Sequence, residues 1–453
     1  MEQVLTASAD AARWRSRAWL AWSAALGAAS VASAAPLYGA LTMLLQIAVI
    51  AAWAVRVARD RARRSALDWP LAALAACETL GMLYAYKTGW GERSPFHAVY
   101  QNPGALGPLR LWLWLGMLAA CAAAACAARQ AGADAGSRLR LAAPLLVVGA
   151  AQAGIVAVIA AGGLDGRLQG TFTNPNLLGA CACSILPVAA GLAADARFRR
   201  SLRLFSAAMA GAMAGCVWLS GSRGAAGGCA LALAYLALAW LARREAVRRW
   251  MARPGRTTAA VIAGAALAAA IGAAAWPHVI SKARAASDAD REAAWSIALR
   301  IVRERPLLGV GVDGFPLAEM SYYGYELSRH PGMSEAELPN VQLHAHDLLL
   351  QTWAECGALG ALAMLWWMAS LLRLAVRALR PGGGAAGACL AMLAQNVCDD
   401  TLWFAPTALL AFYAVGVLAS EGMLASEGML ASEAALVPQP GESEAGGAPG
   451  KTR

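Results

Sequence analysis

Charge is scarce in this sequence: Asp, Glu, Lys and Arg make up 15% of its 453 residues, while 59% are hydrophobic. With a mean hydropathy of +0.49, that composition excludes an ordinary soluble protein of several domains. Histidine is scarcer still, with five in the chain: His97, His278, His330, His344 and His346. The ten cysteines all fall in or at the edge of apolar runs, which excludes a disulfide framework of the secreted kind. Cys181 and Cys183 stand two apart on an expected helix and so point to different faces, which argues against a metal pair and for small packing residues.

Long apolar runs take the place of charge. They lie near 18–35, 37–56, 67–86, 108–128, 141–162, 175–195, 204–221, 224–242, 258–276, 348–372, 384–398 and 404–424. Most are long enough to cross a hydrocarbon layer of roughly 30 Å as helices. The expected fold is an all-α polytopic membrane protein of about twelve transmembrane helices. Nine spans fill residues 1–276, a long loop occupies 277–347, three more spans occupy 348–424, and 425–453 form a disordered cytoplasmic tail that begins in the repeat "ASEGML". Abundant Ala and Gly are the residues that let such helices approach closely.

Orientation follows from the basic residues, which short loops retain on the cytoplasmic side. One set of alternate loops carries clusters such as Arg56, Arg59, Arg61, Arg63 and Arg64, or Arg243, Arg244, Arg248 and Arg249. The opposite short loops hold only Lys87, Arg93, Arg110, Arg167 and Arg223. Both termini are therefore expected in the cytoplasm. The net charge of +10 reads as a topology signal, and nucleic-acid binding is not expected. "SVASAAP" imitates a signal-peptidase site, but Pro36 and the span that follows at once favour an uncleaved first helix.

On this topology all five histidines lie in outer loops or at their margins. The long loop contains "SDADREAAWSIALRIVRERPLLGVGVDGF", in which Ser287 or Asp288 can cap a helix whose apolar positions Trp295, Ala298, Ile301 and Val302 recur until Pro306. "DAD" at 288–290 also has the form of a metal-binding D-x-D, though a helix cap explains the same residues. In "QLHAHDLLLQTWAECG", His346 and Asp347 suit the start of a helix, with Gln351 and Glu355 following at four-residue steps. Such a polar stripe is costly in lipid and is expected to face a cavity. Arg167, Arg223 and Arg291, with Lys87, are outer cations that could snorkel to lipid phosphates or, together, grip a pyrophosphate.

Four pieces resemble the O-antigen ligases and the superfamily they share with O-antigen polymerases and bacterial protein O-oligosaccharyltransferases. They are "GTFTNPNLLGA" (170–180), "LSGSRGA" (219–225), "REAAWSIALRIVRERPLLGVGVDGF" (291–315) and "HAHDLLLQTWAECGALG" (344–360). Together they span roughly residues 165–375. The chain departs from the family at Asp347, where Asn is usual, and at "ECG" in place of "ELG".

The resemblance implies a GT-C-like, metal-independent membrane glycosyltransferase without cofactors, in the bacterial inner membrane, with its active site facing the periplasm. Its donor would be an undecaprenyl-pyrophosphate-linked polysaccharide and its acceptor a sugar hydroxyl of lipid A-core. In that chemistry His346 is the expected general base, since a neutral imidazole with a pKa of about 6.5 can take a hydroxyl proton. His344 and Glu355 would orient or tune it. Arg223 and Arg291 would hold the pyrophosphate, with Arg167 and Lys87 in reserve, and direct attack would invert the anomeric centre. A polymerase or a protein glycosylase would use the same donor. A lipid-linked sugar transporter or flippase would more often place its polar groups near the bilayer midplane in repeated halves, which this sequence does not show.

Overall fold

The computed structural model describes residues 67–88, 121–126, 128–129, 138–163, 166–242, 249, 256, 259, 282–311, 314–329, 342, 344–379 and 383–436. The expected spans 18–35 and 37–56 lie outside these residues, as do most of 108–128 and nearly all of 258–276. The described elements are helical, with no strand among the described residues. In order they are α1 (Asp68–Thr88), α2 (Arg138–Ala161), α3 (Pro175–Ala194), α4 (Arg200–Ser220), α5 (Arg223–Leu241), α6 (Lys282–Glu304), α7 (Phe315–Arg329), α8 (Leu348–Arg377), α9 (Gly384–Gln395), a 3-10 turn (Thr401–Trp403) and α10 (Ala405–Leu436). Five of them, α2, α3, α4, α5 and α8, are long and apolar enough to cross a membrane.

Local chemistry sets the boundaries. The Asn174 side chain accepts the Asn176 N–H at 2.8 Å and Pro175 occupies the first turn of α3, where its missing N–H costs nothing. Gly221 ends α4 in the left-handed region, and Ser222 then accepts the Ala225 N–H to start α5. α10 runs on through the first "ASEGML" repeats to Leu436. Ala, Glu, Met and Leu are strong helix formers, so this stretch continues the helix where a disordered tail from residue 425 was expected.

α3 is the centre of the bundle, buried along nearly its whole length, with α2, α4, α5 and α9 around it. α9 is equally enclosed. Small residues permit this: a Cβ on Gly228 of α5 would collide with the Ala391 carbonyl of α9. By contrast Val158 and Trp218 point outward, 74% and 75% exposed, as residues on a lipid-facing surface do.

α6 and α7 lie in the segment expected to form a helical cap and pack against each other. Ala294, Ile297, Ala298 and Ile301 of α6 pack with Phe315 and Ala318 of α7, and Ala345 and Ala354 complete this second core. α6 begins at Lys282, so Ser287 and Asp288 are interior residues of the helix and not its cap.

The cap is stitched to α8 through backbone groups. α8 breaks at Gly357, whose φ of 66° and ψ of −165° lie outside the helical region. The groups freed there bond to the segment after α6: Val310 N–H donates to the Ala354 carbonyl (3.0 Å), Gly311 N–H to the Glu355 carbonyl (2.8 Å), and Ala358 N–H to the Pro306 carbonyl (2.8 Å). A Cβ on Gly357 would overlap the Leu307 carbonyl. Gly357→Ala is expected to destabilise the purified protein by more than about 2 kcal/mol through backbone strain and lost docking. Gly215→Ala on α4, where a Cβ meets nothing within 4 Å, should leave the melting temperature unchanged or slightly raised. Equal melting temperatures for the two variants would refute the docking role.

Candidate functional site

The described parts of the connections, 166–174, 221–222, 305–311, 344–347 and 396–404, meet at one end of the bundle. Leu168 N–H donates to the Leu219 carbonyl (2.9 Å), Gln395 Nε2 to the Asn176 carbonyl (3.0 Å), and Leu348 N–H to the Asn396 carbonyl (2.9 Å). These bonds bring the ends of α3, α4, α8 and α9 together.

At this end the chain makes a tight turn over 344–347. Asp347 caps α8 by accepting the Leu350 N–H at 2.8 Å, and the buried Gln351 Oε1 accepts the Ala345 N–H at 2.6 Å. Pinned from both sides, His346 takes a φ of 52°, alone among the described non-glycine residues in the left-handed region. That conformation costs of order 1 kcal/mol or more and persists only where surroundings impose it. The Asp347–Gln351–Glu355 stripe thus faces polar partners in the protein: Glu355 is 1% exposed and its Oε1 accepts the Phe315 N–H at 3.3 Å, at the start of α7.

The turn directs His346 between two buried carboxylates. Its Nδ1 lies 3.5 Å from Asp399 Oδ1 and 3.5 Å from Asp400 Oδ1. His344 Nδ1 lies 3.4 Å from the other Asp400 oxygen, and its ring stacks on Trp403 and meets Phe404 edge-on. Asp399 and Asp400 are almost fully buried. The buried Asn396 holds their connection, donating to the Met392 carbonyl (2.9 Å) and Thr401 Oγ1 (3.1 Å) and accepting the Leu402 N–H (3.3 Å). On the far side of the imidazole, Nε2 lies 3.0 Å from Gln342 Oε1. The Gln342 N–H donates to Glu319 Oε2 (2.8 Å), and Tyr323 Oη donates to Glu319 Oε1 (3.1 Å).

These contacts set the charges. Burial works against a charged His346, but hydrogen bonds and attraction from Asp399 and Asp400 outweigh it and push its pKa up to about 9. The ordinary histidine value expected from sequence therefore does not hold: at neutral pH His346 is mostly imidazolium. Burial raises Asp399 despite the neighbouring His346. Asp400 is held below the usual range, since His344 and His346 together overcome its burial. Burial pushes Glu319 up to about 7, against the two hydrogen bonds it accepts.

A second charged group sits beside the first. Arg223, at the first position of α5, donates Nη1 to Asp288 Oδ2 at 2.7 Å and pairs through Nη2 with Asp288 Oδ1. Arg291, one turn on from Asp288 along α6, brings Nη1 to 3.9 Å from the same Oδ1. The charge of Arg291 reaches Asp399, which joins the two groups. Asp288 is thus an arginine partner and not the helix cap expected for it.

Of the other expected cations, Arg167 is engaged elsewhere. Its Nε donates to the Ser220 carbonyl (2.7 Å) and its Nη2 to Asn176 Oδ1 (2.6 Å), joining the start of α3 to the end of α4. Lys87 lies in the last turn of α1; its side chain is outside the described residues, as are His97, His278 and His330. Among the described residues, His346, Asp399 and Asp400 could offer a divalent cation one atom each, all within 4.8 Å of one another. A cation there would first have to displace the proton that the carboxylates stabilise on Nδ1.

Residues 207–365 match the O-antigen ligase family model. This supports the O-antigen ligase family for the chain. The matched stretch runs from α4 into α8 and holds Arg223, Asp288, Arg291, His344, His346 and Glu355; Arg167, Asp399 and Asp400 lie outside it. No curated protein matches the chain. The family match and the apolar helices together describe a multi-pass membrane protein.

Sequence reasoning passed over Asp399, Asp400, Gln342 and Glu319. A signal existed for the first two: "NVCDDTLW" sets adjacent acids between apolar runs, where charge is expensive. Replacing Asp400 with Asn removes one of the groups that raise His346, so its pKa should fall from about 9 toward the ordinary value. Histidine-selective NMR titration in lipid nanodiscs checks this, with His346→Gln assigning the resonance among five histidines. An unmoved titration would mean that Asp400 does not govern His346.

Proposed function

We propose that this protein is an O-antigen ligase of the bacterial inner membrane, acting at its periplasmic face. It transfers a polysaccharide from undecaprenyl pyrophosphate to a sugar hydroxyl of lipid A-core. The observation that carries this reading is the forced placement of His346 between two buried carboxylates, next to a pair of arginines, within a family-matched stretch. The periplasmic assignment rests on the basic clusters, of which Arg138 and Arg140, Arg197 to Arg203, and Arg373 and Arg377 stand at the ends of α2, α3, α4 and α8 away from the site.

In the proposed reaction the acceptor oxygen attacks the anomeric carbon, the bond from that carbon to the pyrophosphate oxygen breaks, and the configuration inverts. The hydroxyl proton passes to His346 Nε2, in the place Gln342 Oε1 faces in the resting protein. Asp399 and Asp400 orient the ring and stabilise the imidazolium that forms, a division of labour general to carboxylate–histidine pairs. His344 positions Asp400. Glu355 supports the cap that carries Arg291, and so acts at a distance from the transferred proton. Arg223 and Arg291 hold the pyrophosphate and stabilise its growing charge. Arg167 serves the same end more remotely, by bracing the turn before Arg223, and Lys87 is a further cation assigned to that duty. No metal is required where two fixed guanidinium groups neutralise the leaving group.

The decisive experiment expresses wild type or His346→Ala in a ligase-null host and reads the lipopolysaccharide ladder together with undecaprenyl-linked polymer. The variant should lose the long-chain ladder by at least about 100-fold and accumulate the lipid-linked polymer. A ladder ending at core plus one repeat unit would identify a polymerase, and an unchanged ladder would remove His346 from the chemistry.

The pH dependence is set by the raised pKa. A base must be neutral, so kcat/KM should climb about tenfold per pH unit below about 9 and level off above it. A rate that instead falls above pH 9 would make the imidazolium the active form. Chelation with EDTA should leave the purified enzyme's rate unchanged, and a loss restored by one divalent cation would place a metal among His346, Asp399 and Asp400.

A further inference from the structure

The two arginines assigned to the pyrophosphate are not held apart for a ligand; they share a carboxylate. Arg223 makes a two-pronged contact with Asp288, and Arg291 approaches the same oxygen. The carboxylate arrives from α6, 65 residues along the chain from Arg223, and no repeating helical feature demands it there. The guanidinium side chains of Arg223 and Arg291 are 31% and 18% exposed and Asp288 is 42% exposed, so the trio opens to solvent on the carboxylate side.

Resting on the function proposed above, we infer that Asp288 is a resident counter-anion. It occupies the pyrophosphate position of the resting protein and is displaced when a lipid pyrophosphate binds. The charges of the three groups sum to +1, and a carboxylate presents to Arg223 the same planar pair of oxygens that a phosphate offers. A pyrophosphate diester carries two negative charges and more acceptor oxygens, so it can engage both arginines where Asp288 fully engages one. An exposed ion pair of this kind is weak enough to exchange. The resident carboxylate also sets a threshold: an anion with a single charge gains little by replacing it. Asp288 thereby selects for pyrophosphate over the monophosphate headgroups of ordinary lipids.

Removing the competitor should tighten binding. Titration of inorganic pyrophosphate, and then undecaprenyl pyrophosphate, into the full-length protein in detergent should give Asp288→Asn a Kd about three- to fivefold below wild type. Singly charged phosphate diesters should gain more than pyrophosphate does, which narrows the selectivity. Arg223→Gln combined with Arg291→Gln should abolish binding. If the double arginine variant loses binding while Asp288→Asn binds equally or more weakly, Asp288 is a positioning residue for the arginines and the counter-anion is refuted, with the proposed function intact. If the double arginine variant binds like wild type, the arginines do not hold pyrophosphate, and both this inference and their catalytic assignment fail. Asp288→Ala carries the same expectation, so whichever variant melts like wild type decides the outcome.

Discussion

The site depends on a helix that is broken in the right place. α8 is long enough to span a membrane, and an unbroken helix would bond every backbone group within itself, leaving nothing to hold a neighbouring loop. The break at Gly357 frees backbone groups of Ala354, Glu355 and Ala358, which receive or donate bonds to the 306–311 segment. Side-chain contacts of comparable number could shift as rotamers change, but backbone bonds fix α6 against α8 with little freedom. Through that junction the cap helix bearing Asp288 and Arg291 and the turn bearing His346 belong to one rigid unit. Glu355 reinforces it from inside by accepting the Phe315 N–H at the start of α7.

Burial then converts placement into chemistry. A carboxylate taken out of water is unfavourable unless charge or hydrogen bonds replace the lost solvent. Asp399 and Asp400 lie side by side, where mutual repulsion adds to that penalty, and His346 and His344 are the groups within reach that relieve it. The same attraction viewed from the imidazole is its raised pKa. The pair is therefore a mutual arrangement: the acids need the histidines to stay ionised, and His346 owes its basicity to the acids.

Helices could be read from the sequence because apolar length signals a membrane span whatever its neighbours. The runs 175–195 and 224–242 became α3 and α5 within a residue or two. His346, Arg223 and Arg291 could be singled out because polar groups on the sparsely charged face stand out. What could not be read was partnership. Arg223 and Asp288 are distant in sequence, as are His346 and Asp399, and no periodicity links them. Asp288 was legible only as a cap, since its local pattern fits one; its true role comes from α5, a separate helix. Gly357 was likewise invisible as a break, because a glycine within an apolar run is common in membrane helices.

The two charge clusters complement each other in the proposed reaction. As the anomeric bond breaks, negative charge grows on the pyrophosphate while positive charge appears on His346, so the transition state creates an ion pair from groups that began less charged. In a medium of low polarity, creating such a pair is prohibitive unless each end has a fixed counter-charge. Arg223 and Arg291 supply one and Asp399 and Asp400 the other. Because Arg291 also acts on Asp399, the two ends are not independent. The arrival of an anion at the arginines partly cancels Arg291, and Asp399 then loses part of the attraction that keeps it ionised. Donor binding is therefore felt at the base that must act on the acceptor.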